Sequence, residues 1–213
     1  MTRPLRYVEP GHSVHIIRRG VNRCQICVDD IDRHTLLAII RDAAARFATD
    51  FHGFVLMDTH WHALATPVDA RSLSATMKIV GQNYVRYFNA KYDRIGTLWT
   101  NRFTGLDVDT ERYWLTCLRY IEQNPVRASM VRHPGDYQWS SYRAHAIGDA
   151  NDWLVEHPVF AALGNTVERR RIAYRAICDE HLTDADLAVL RNVSRPPSPR
   201  AVIAELQPPA LAL

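Results

Sequence analysis

Residues 51–66, FHGFVLMDTHWHALAT, hold the pattern that decides the fold class. Two apolar runs, Phe51–Met57 and Trp61–Thr66, have the length of short strands, and the polar pair Asp58-Thr59 separates them. A polar pair between two apolar runs of this length is typical of a hairpin turn. The segment therefore predicts two neighbouring antiparallel strands.

The surrounding sequence supplies the elements that complete a sheet around this hairpin. Apolar periodicity and capping residues predict a first strand over 13–19, a helix over 31–47 capped by Asp30, a helix from Ser72 or Ser74 to 92, a fourth strand from 98–99 and 103–108, and a helix from Asp109 or Thr110 to 124. The order β-α-β-β-α-β predicts an α+β fold, a ferredoxin-like antiparallel sheet with helices on one face. Helices predicted over 154–163 and 167–179 add a C-terminal helical extension.

The composition indicates a globular chain without a membrane segment. Of 213 residues, 47% are hydrophobic, yet no run approaches the ~18 apolar residues of a membrane span. No apolar stretch typical of a signal peptide follows the first residues, so we expect a cytoplasmic protein. The four cysteines do not indicate a disulfide framework in a chain of this length. Cys24-Gln25-Ile26-Cys27 lacks a second ligand pair, and a zinc or redox role for it stays an alternative.

The basic residues are almost entirely arginine. Lys78 and Lys91 are the only lysines, and the formal net charge is +3. The planar guanidinium binds a phosphate group through two hydrogen bonds, which fits a nucleic-acid partner. A GC-rich genome would produce the same arginine bias without a functional cause, so both interpretations stay open.

Two histidines one residue apart, His60 and His62, begin the second hairpin strand. Side chains at positions i and i+2 of a strand point to the same face, so both imidazoles can bind one metal ion. In the helix that ends near residue 124, Tyr120 and Asn124 lie one turn apart, so the hydroxyl and the amide point the same way. A metal site with an adjacent tyrosine suits nucleophilic attack on a phosphodiester.

Simpler interpretations exist for each of these residues. A histidine in a strand can be an ordinary core residue, Tyr120 can pack on a half-buried helix face, and Asn124 can be only a helix cap. Tyr113 lies one heptad earlier on nearly the same helix face and is the rival nucleophile. We prefer Tyr120 because Asn124 follows it by one helical turn.

Five blocks of sequence together resemble the HUH-type single-tyrosine transposases, and most closely their REP-associated tyrosine transposase branch. In chain order the blocks are Arg18-Arg19-Gly20-Val21-Asn22-Arg23, Leu56-Met57-Asp58-Thr59-His60-Trp61-His62, Gly96-Thr97-Leu98-Trp99 with Arg102-Phe103, Arg119-Tyr120-Ile121 with Asn124-Pro125-Val126-Arg127-Ala128, and Trp139-Ser140-Ser141-Tyr142. Two positions depart from the family pattern. Asp58-Thr59 replaces a usual Pro-Asn, and Thr104 replaces a basic residue that often follows Arg102-Phe103.

The resemblance implies that Tyr120 is the nucleophile and that His60, His62 and Asn124 bind a divalent metal, Mg²⁺ or Mn²⁺. The implied reaction cleaves and rejoins single-stranded DNA at hairpin-associated sites through a 5′-phosphotyrosine intermediate, without ATP. The implied partner is single-stranded DNA with hairpin structure, bound by a monomer or homodimer. Arginines that follow the DNA backbone and aromatic rings that stack on unpaired bases are the DNA-binding candidates: Arg18, Arg19, Arg23, Trp99, Arg102, Arg127 and Tyr142.

The implied organisation is a transposase catalytic domain over residues 1–145 and a helical extension over 146–192. A proline-rich tail over 193–213 is predicted to be disordered. Two other functions stay open. A chain that keeps the fold but has lost catalysis would bind nucleic acid as a regulator of its own element. A metal hydrolase would use water as the nucleophile and would form no covalent adduct with DNA.

Overall fold

The computed structural model describes residues 8–180 together with 182, 183 and 190. In this part of the chain the strands are β1 (Ser13–Arg19), β2 (Thr49–Leu56), β3 (His60–Pro67) and β4 (Thr104–Val108). The helices are α1 (Asp30–Arg46), α2 (Ser72–Lys91), α3 (Glu111–Glu122), α4 (Asn124–Arg127), α5 (Pro158–Ala161) and α6 (Val167–Asp179). Short turns of 3-10 or π helix occur at Val21–Arg23, Pro134–Asp136 and Arg143–Ile147.

These strands form an antiparallel sheet in the order β2-β3-β1-β4. The predicted hairpin is confirmed, since β2 and β3 pair directly with Val55 opposite His62. β1 lies between β3 and β4, which places Ile17 opposite His62 and Arg19 opposite His60. Each of α1 and α2 connects two strands that are not neighbours, as a ferredoxin-like sheet requires. The predicted α+β fold class is therefore confirmed.

Helices cover both faces of the sheet, which corrects the prediction that they lie on one face. α1 and α2 pack against each other on one face, where the side chain of Arg18 reaches Gly81 of α2. α3, which follows β4, packs on the other face, where the indole N–H of Trp114 donates a hydrogen bond to the hydroxyl of Ser13. Because successive residues of a strand point to opposite faces, Arg18 and its neighbour Arg19 lie on different sides of the sheet.

A loop after α3 covers the outer edge of β2. The N–H of Leu56 donates to the carbonyl of Trp139 over 2.9 Å, and the N–H of Ser141 donates to the carbonyl of Phe54 over 3.0 Å. An uncovered edge strand would present unpaired backbone groups to other chains. This segment therefore closes one side of the sheet.

The start of α1 is fixed one residue earlier than predicted. The carboxylate of Asp29, and not that of Asp30, accepts the backbone N–H of Asp32 over 2.9 Å. The Asp32 carboxylate in turn accepts the N–H of Asp29, which completes a reciprocal capping box. Lys91 at the end of α2 bonds to both carboxylates, so this cap also joins the two helices.

Two other predicted elements differ from the structure. Residues 98–99 do not continue into β4, because the chain bends at 101–102 and only a single bridge pairs Trp99 with Gly20. The helix predicted over 154–163 is wrong for most of its length. Only α5 is helical there, because proline lacks an N–H donor and occupies the first helical position at Pro158.

Glu122, the last residue of α3, is fully buried and anchors that helix. One carboxylate oxygen accepts hydrogen bonds from Ser141 over 2.5 Å and from Nδ1 of His145 over 2.7 Å. The other accepts the hydroxyl of Tyr174, on α6, over 2.6 Å. A buried carboxylate is tolerated only when hydrogen bonds replace its hydration. The segments that follow α3 therefore hold its C-terminal end in place.

The described residues up to 182 form one compact unit that includes α6. The predicted domain boundary at residue 145 stays a prediction, and the predicted tail over 193–213 lies outside the described residues. Among the residues that the structure describes, no helix is long and apolar enough to span a membrane.

Protonation of His52, a buried residue of β2, should destabilise the fold in acid. Its Nδ1–H donates to the carbonyl of Val155 over 2.8 Å, and its Nε2 accepts the hydroxyl of Thr66 over 2.8 Å. Burial lowers the pKa of His52 from 6.5 to about 4. Between pH 6.5 and about 4, the imidazole of the unfolded chain binds a proton while the folded one stays neutral. The contribution of His52 to stability is therefore fully present above pH 6.5 and is lost as the pH drops toward 4. We expect protonation of His52 to lower the free energy of unfolding by about 3 kcal/mol across this interval.

Urea unfolding across the same pH interval measures this loss. His52→Gln should show a shallower pH dependence of the free energy of unfolding than the wild type. His12→Gln, which changes an exposed histidine, should keep the wild-type dependence. Equal slopes for His52→Gln and wild type would contradict the prediction.

Glu122→Gln should destabilise the protein by about 2 kcal/mol, because hydrogen bonds to a buried carboxylate lose their charge and one acceptor oxygen becomes a donor. Urea unfolding at neutral pH measures the change. Glu111→Gln, at an exposed position in the first turn of the same helix, is the matched control and should shift stability by less than about 0.5 kcal/mol. Similar losses for the two variants would argue against an anchoring role.

Candidate active site

His60 and His62 lie at the start of β3 and point to the face that α3 covers. Their ring centroids are 5.1 Å apart with the rings nearly perpendicular. Nδ1 of His60 is 3.1 Å from the hydroxyl of Thr59, and Nδ1 of His62 is 2.9 Å from Nε2 of His15. The Nε2 atoms of His60 and His62 make no hydrogen bond with the described residues. Each of the two side chains therefore presents one ring nitrogen that can bind a ligand.

His15, on β1, is a member of this cluster that sequence reasoning missed. It is fully buried, and its ring stacks at 5.1 Å on that of His62 although the two residues are 47 positions apart. When Nε2 of His62 binds a metal, Nδ1 must carry the proton, and it then donates to Nε2 of His15. Such an outer hydrogen bond fixes the tautomer and ring orientation of a metal-binding histidine. His15 therefore positions His62.

The three histidines are held neutral. Burial, followed by the nearby positive charge of Arg19, lowers the pKa of His60 to about 4. Burial and the neighbouring charges of His15 and His60 lower the pKa of His62 well below its ordinary value, and burial lowers the pKa of His15 to about 3. A histidine binds metal through a neutral nitrogen, so this environment suits metal ligands.

Tyr120, on α3, lies against the histidine cluster. Its ring centroid is 6.1 Å from that of His62 and 6.0 Å from that of His15. Its hydroxyl makes no hydrogen bond with the residues that the structure describes. The guanidinium of Arg127 lies 3.9 Å from the centroid of the Tyr120 ring and donates to the Tyr120 carbonyl over 2.9 Å. The ring is therefore held between imidazoles and a cation, while its hydroxyl is left for a substrate.

Asn124 begins α4, one turn after Tyr120. Its Nδ2 donates to the Tyr120 carbonyl over 3.3 Å, so its Oδ1 is the atom that remains to bind a metal. Within the described residues, no group of three histidine, cysteine or carboxylate side chains could hold a metal ion. A metal at His60 and His62 would therefore take its further ligands from an amide, from water or from the substrate.

Tyr113, the rival nucleophile, lies in the first part of α3. It has no ring contact with the histidines, and burial raises the pKa of its hydroxyl to about 12. A tyrosine that loses its proton less readily is a poorer nucleophile. The geometry therefore favours Tyr120.

The DNA-binding candidates separate into three groups. Arg19, Arg23 and Arg102 are exposed, whereas Arg127 lies on the Tyr120 ring and Arg18 lies on the opposite face of the sheet. Tyr142 and Trp99 are buried, with 1% and 5% of their surface exposed. Both rings are largely enclosed by their neighbours, and base stacking by them stays a prediction. Tyr142 packs near Tyr174, and Trp99 packs under the Arg18 guanidinium.

The Cys24-x-x-Cys27 motif has a structural explanation. The Cys27 thiol is buried within 3.5 Å of the Tyr84 hydroxyl, and burial raises its pKa to about 11. Redox-active and metal-binding cysteines have lowered pKa values. The motif therefore contributes to packing between the β1–α1 connection and α2.

Comparison with known proteins identifies the family and supports the fold. Residues 9–124, more than half of the chain, match the family of IS200-like transposases. A solved structure of a REP-associated tyrosine transposase bound to a REP hairpin has the same fold, with a TM-score of 0.59 and 16% identity over 75% of this chain and 93% of that chain. A putative transposase from Deinococcus radiodurans R1 gives a TM-score of 0.39 and 20% identity over 61% of this chain and 92% of that chain. No curated protein shows significant similarity. The chain belongs to the family of IS200-like transposases.

Proposed function

We propose that this transposase cleaves and rejoins single-stranded DNA at hairpin-associated sites through a 5′-phosphotyrosine on Tyr120. The proposal rests on one observation: Tyr120 lies beside the pair His60 and His62. The Tyr120 ring is 6.1 Å from His62, its hydroxyl has no partner among the described residues, and the Nε2 atoms of His60 and His62 are available beside it.

The donor set fits a hard or borderline divalent cation such as Mg²⁺ or Mn²⁺. His60 and His62 would hold the ion through Nε2, and Asn124 would add its amide oxygen. When bound, the cation withdraws charge from the phosphoryl group and orients it for attack. Two imidazoles and an amide leave positions for phosphate oxygens, which a closed structural zinc site does not. His15 keeps His62 in the required tautomer.

Tyr120 and Arg127 supply the groups for covalent chemistry. The Tyr120 oxygen forms a bond to phosphorus while the bond from phosphorus to the 3′-oxygen breaks. The products are a 5′-phosphotyrosine and a strand with a free 3′-hydroxyl, to which the tyrosine proton is transferred through solvent. Arg127, stacked on the ring, places a positive charge beside the negative charge that develops in this step. A 3′-hydroxyl of another strand reverses the reaction, so ATP is not required.

The exposed arginines support the proposal that a DNA strand binds near this site. Arg19 is close enough to His60 to lower its pKa, and Arg23 follows in the turn after β1. Arginines at such positions bind phosphate groups without reading sequence. Hairpin DNA is proposed because the REP-associated relative was solved with a REP hairpin.

Tyr120→Phe should abolish covalent DNA attachment. Labelled single-stranded oligonucleotides that carry hairpins from the flanks of the gene are incubated with the protein and Mn²⁺, and denaturing electrophoresis detects the adduct. Removal of the only attacking oxygen should reduce the adduct below detection. Tyr113→Phe is the matched control on the same helix and should keep the wild-type yield.

An adduct that persists in Tyr120→Phe and disappears in Tyr113→Phe would assign the nucleophile to Tyr113. Cleavage without any adduct would point to a hydrolase that uses water. Tight hairpin binding with neither product would indicate a chain that has lost catalysis.

His60→Gln should weaken Mn²⁺ binding by at least about tenfold, because one of the two imidazole ligands is lost. Electron paramagnetic resonance of free Mn²⁺ measures this affinity without any DNA reaction. His12→Gln, at an exposed histidine, should leave the affinity unchanged. Equal Mn²⁺ affinity in the wild type and His60→Gln would place the metal elsewhere or remove it from the mechanism.

A further inference from the structure

A cavity of about 820 Å³ lies on the face of the sheet opposite to Tyr120. It opens between α2 and the segment 97–103, and we call it the α2 cavity. Arg18 of β1 contributes to its wall, whereas the next residue, Arg19, lies on the side of His60. Cavities of this volume commonly hold small organic groups. The covalent chemistry at Tyr120 does not use it.

The wall of the α2 cavity combines positive charge with apolar surface. Among the described residues, twelve line the cavity, and four of these are basic while none is acidic. The basic residues are Arg18, Lys78, Arg86 and Arg102. Much of the remaining wall is apolar, with Met77, Val85 and Phe103. Such a wall is complementary to an anion that carries a flat apolar part.

Arg18 is the most informative of these residues because it is a partly buried cation without a carboxylate partner. Its guanidinium lies 4.6 Å from the centroid of the Trp99 ring, and its Nη1 donates to the Met77 carbonyl over 3.1 Å. Its Nε is buried without a hydrogen-bond partner, and Arg18 forms no ion pair with the described residues. Burial lowers its pKa to about 10.

The structure makes room for this unpaired cation at a specific place. A Cβ at Gly81 would lie 2.4 Å from Nη2 of Arg18, so the absence of a side chain on α2 lets the guanidinium lie along the helix. A buried charge without an opposite charge is unfavourable in the free protein. A bound phosphate group would supply the missing charge and would accept two hydrogen bonds in the planar geometry of the guanidinium.

We propose that the α2 cavity binds an unpaired nucleotide of the DNA substrate, with the base on the apolar wall and the phosphate at Arg18. The identification of the ligand as DNA rests on the proposed function. Contact of a base with apolar or aromatic surface, combined with arginine at the backbone, is the general mode of single-strand binding. A base that is paired and stacked in a duplex cannot enter a cavity.

The substrate strand then contacts both faces of the sheet. Its scissile phosphodiester lies at Tyr120, and an unpaired nucleotide lies in the α2 cavity. Arg18 and Arg19, adjacent residues on opposite faces, mark the end of β1 where the strand passes from one face to the other. The cavity thereby selects DNA that has an unpaired base at a fixed distance from the cleavage site.

Equilibrium binding tests this proposal separately from catalysis. Fluorescence anisotropy compares a labelled strand of about ten thymidines with an abasic strand of the same length and charge. The measurements use Tyr120→Phe as the parent protein and no divalent metal, so they do not depend on covalent chemistry. The parent should bind the thymidine strand more tightly than the abasic strand.

Two variants change the cavity in different ways. Val85→Trp fills the apolar part and keeps all four basic residues. Arg18→Met removes the charge and keeps the packing of the side-chain stem on Trp99. Each should weaken binding of the thymidine strand by at least about fivefold and binding of the abasic strand by less than about twofold, because only an inserted base brings its phosphate to Arg18. Arg169→Gln, at an exposed arginine of α6, is the control and should affect both strands equally.

Thermal unfolding provides a second readout that a merely structural role would not give. Arg18→Met should unfold at a temperature no lower than the parent, because it removes an uncompensated charge. If Val85→Trp does not fold, the binding measurements on Arg18→Met alone test the proposal. An unchanged preference for thymidine over abasic DNA would overturn the proposal, and so would equal losses on the two strands. Absence of a covalent adduct in the wild type would contradict only the proposed catalysis.

Discussion

Hydrogen bonding between β1 and β3 determines which side chains meet on each face of the sheet. In the observed register Ile17 lies opposite His62, which brings the ring of His15 onto that of His62. The same register places Arg19 opposite His60 and directs Arg18 to the other face. A shift by one residue would exchange the two faces of β1 and would remove His15 from the histidine cluster.

The position of Tyr120, the proposed nucleophile, depends on a second set of contacts, at the two ends of α3. Near its start the indole of Trp114 bonds to Ser13 of β1, and at its end the buried carboxylate of Glu122 bonds to three later side chains. Tyr120 lies between these attachments, and Arg127 of the following turn packs on its ring. A reactive group on a helix that is fixed at both ends needs little reorganisation to reach its geometry. The segments after residue 131 therefore support the site although none of the predicted site residues except Tyr142 lies in them.

The local parts of this architecture were predictable from sequence, and the non-local parts were not. His60 and His62 lie in one strand, so their spacing alone predicts that they share a face. Tyr120 and Asn124 lie one helical turn apart across the junction of α3 and α4, and the Asn124 amide bonds to the Tyr120 carbonyl there. The contact between His15 and His62 joins residues 47 positions apart and depends on strand order, which no local pattern encodes.

Tertiary packing and the position of one proline account for what local patterns did not indicate. Trp99 and Tyr142 are aromatic, as base-stacking residues are, but long-range packing buries most of both rings. The helix predicted over 154–163 is wrong for most of its length, because an apolar run was given more weight than the helix-starting position of Pro158. Glu122 carries no sequence signal of its own, since a glutamate at the end of a helix is ordinarily exposed.

The two faces of the sheet suit ligands of opposite charge. On the face of α3, burial keeps the imidazoles neutral, and their available nitrogen lone pairs attract a cation. On the face of α2, a guanidinium without a carboxylate partner attracts an anion. The proposed DNA substrate would satisfy both conditions at once, because phosphate groups would meet a metal ion held by the histidines on one face and the charge of Arg18 on the other. A single strand that reaches both faces would be held at two points on either side of the end of β1, and the nucleotide bound at Arg18 would then fix the position of the phosphodiester at Tyr120.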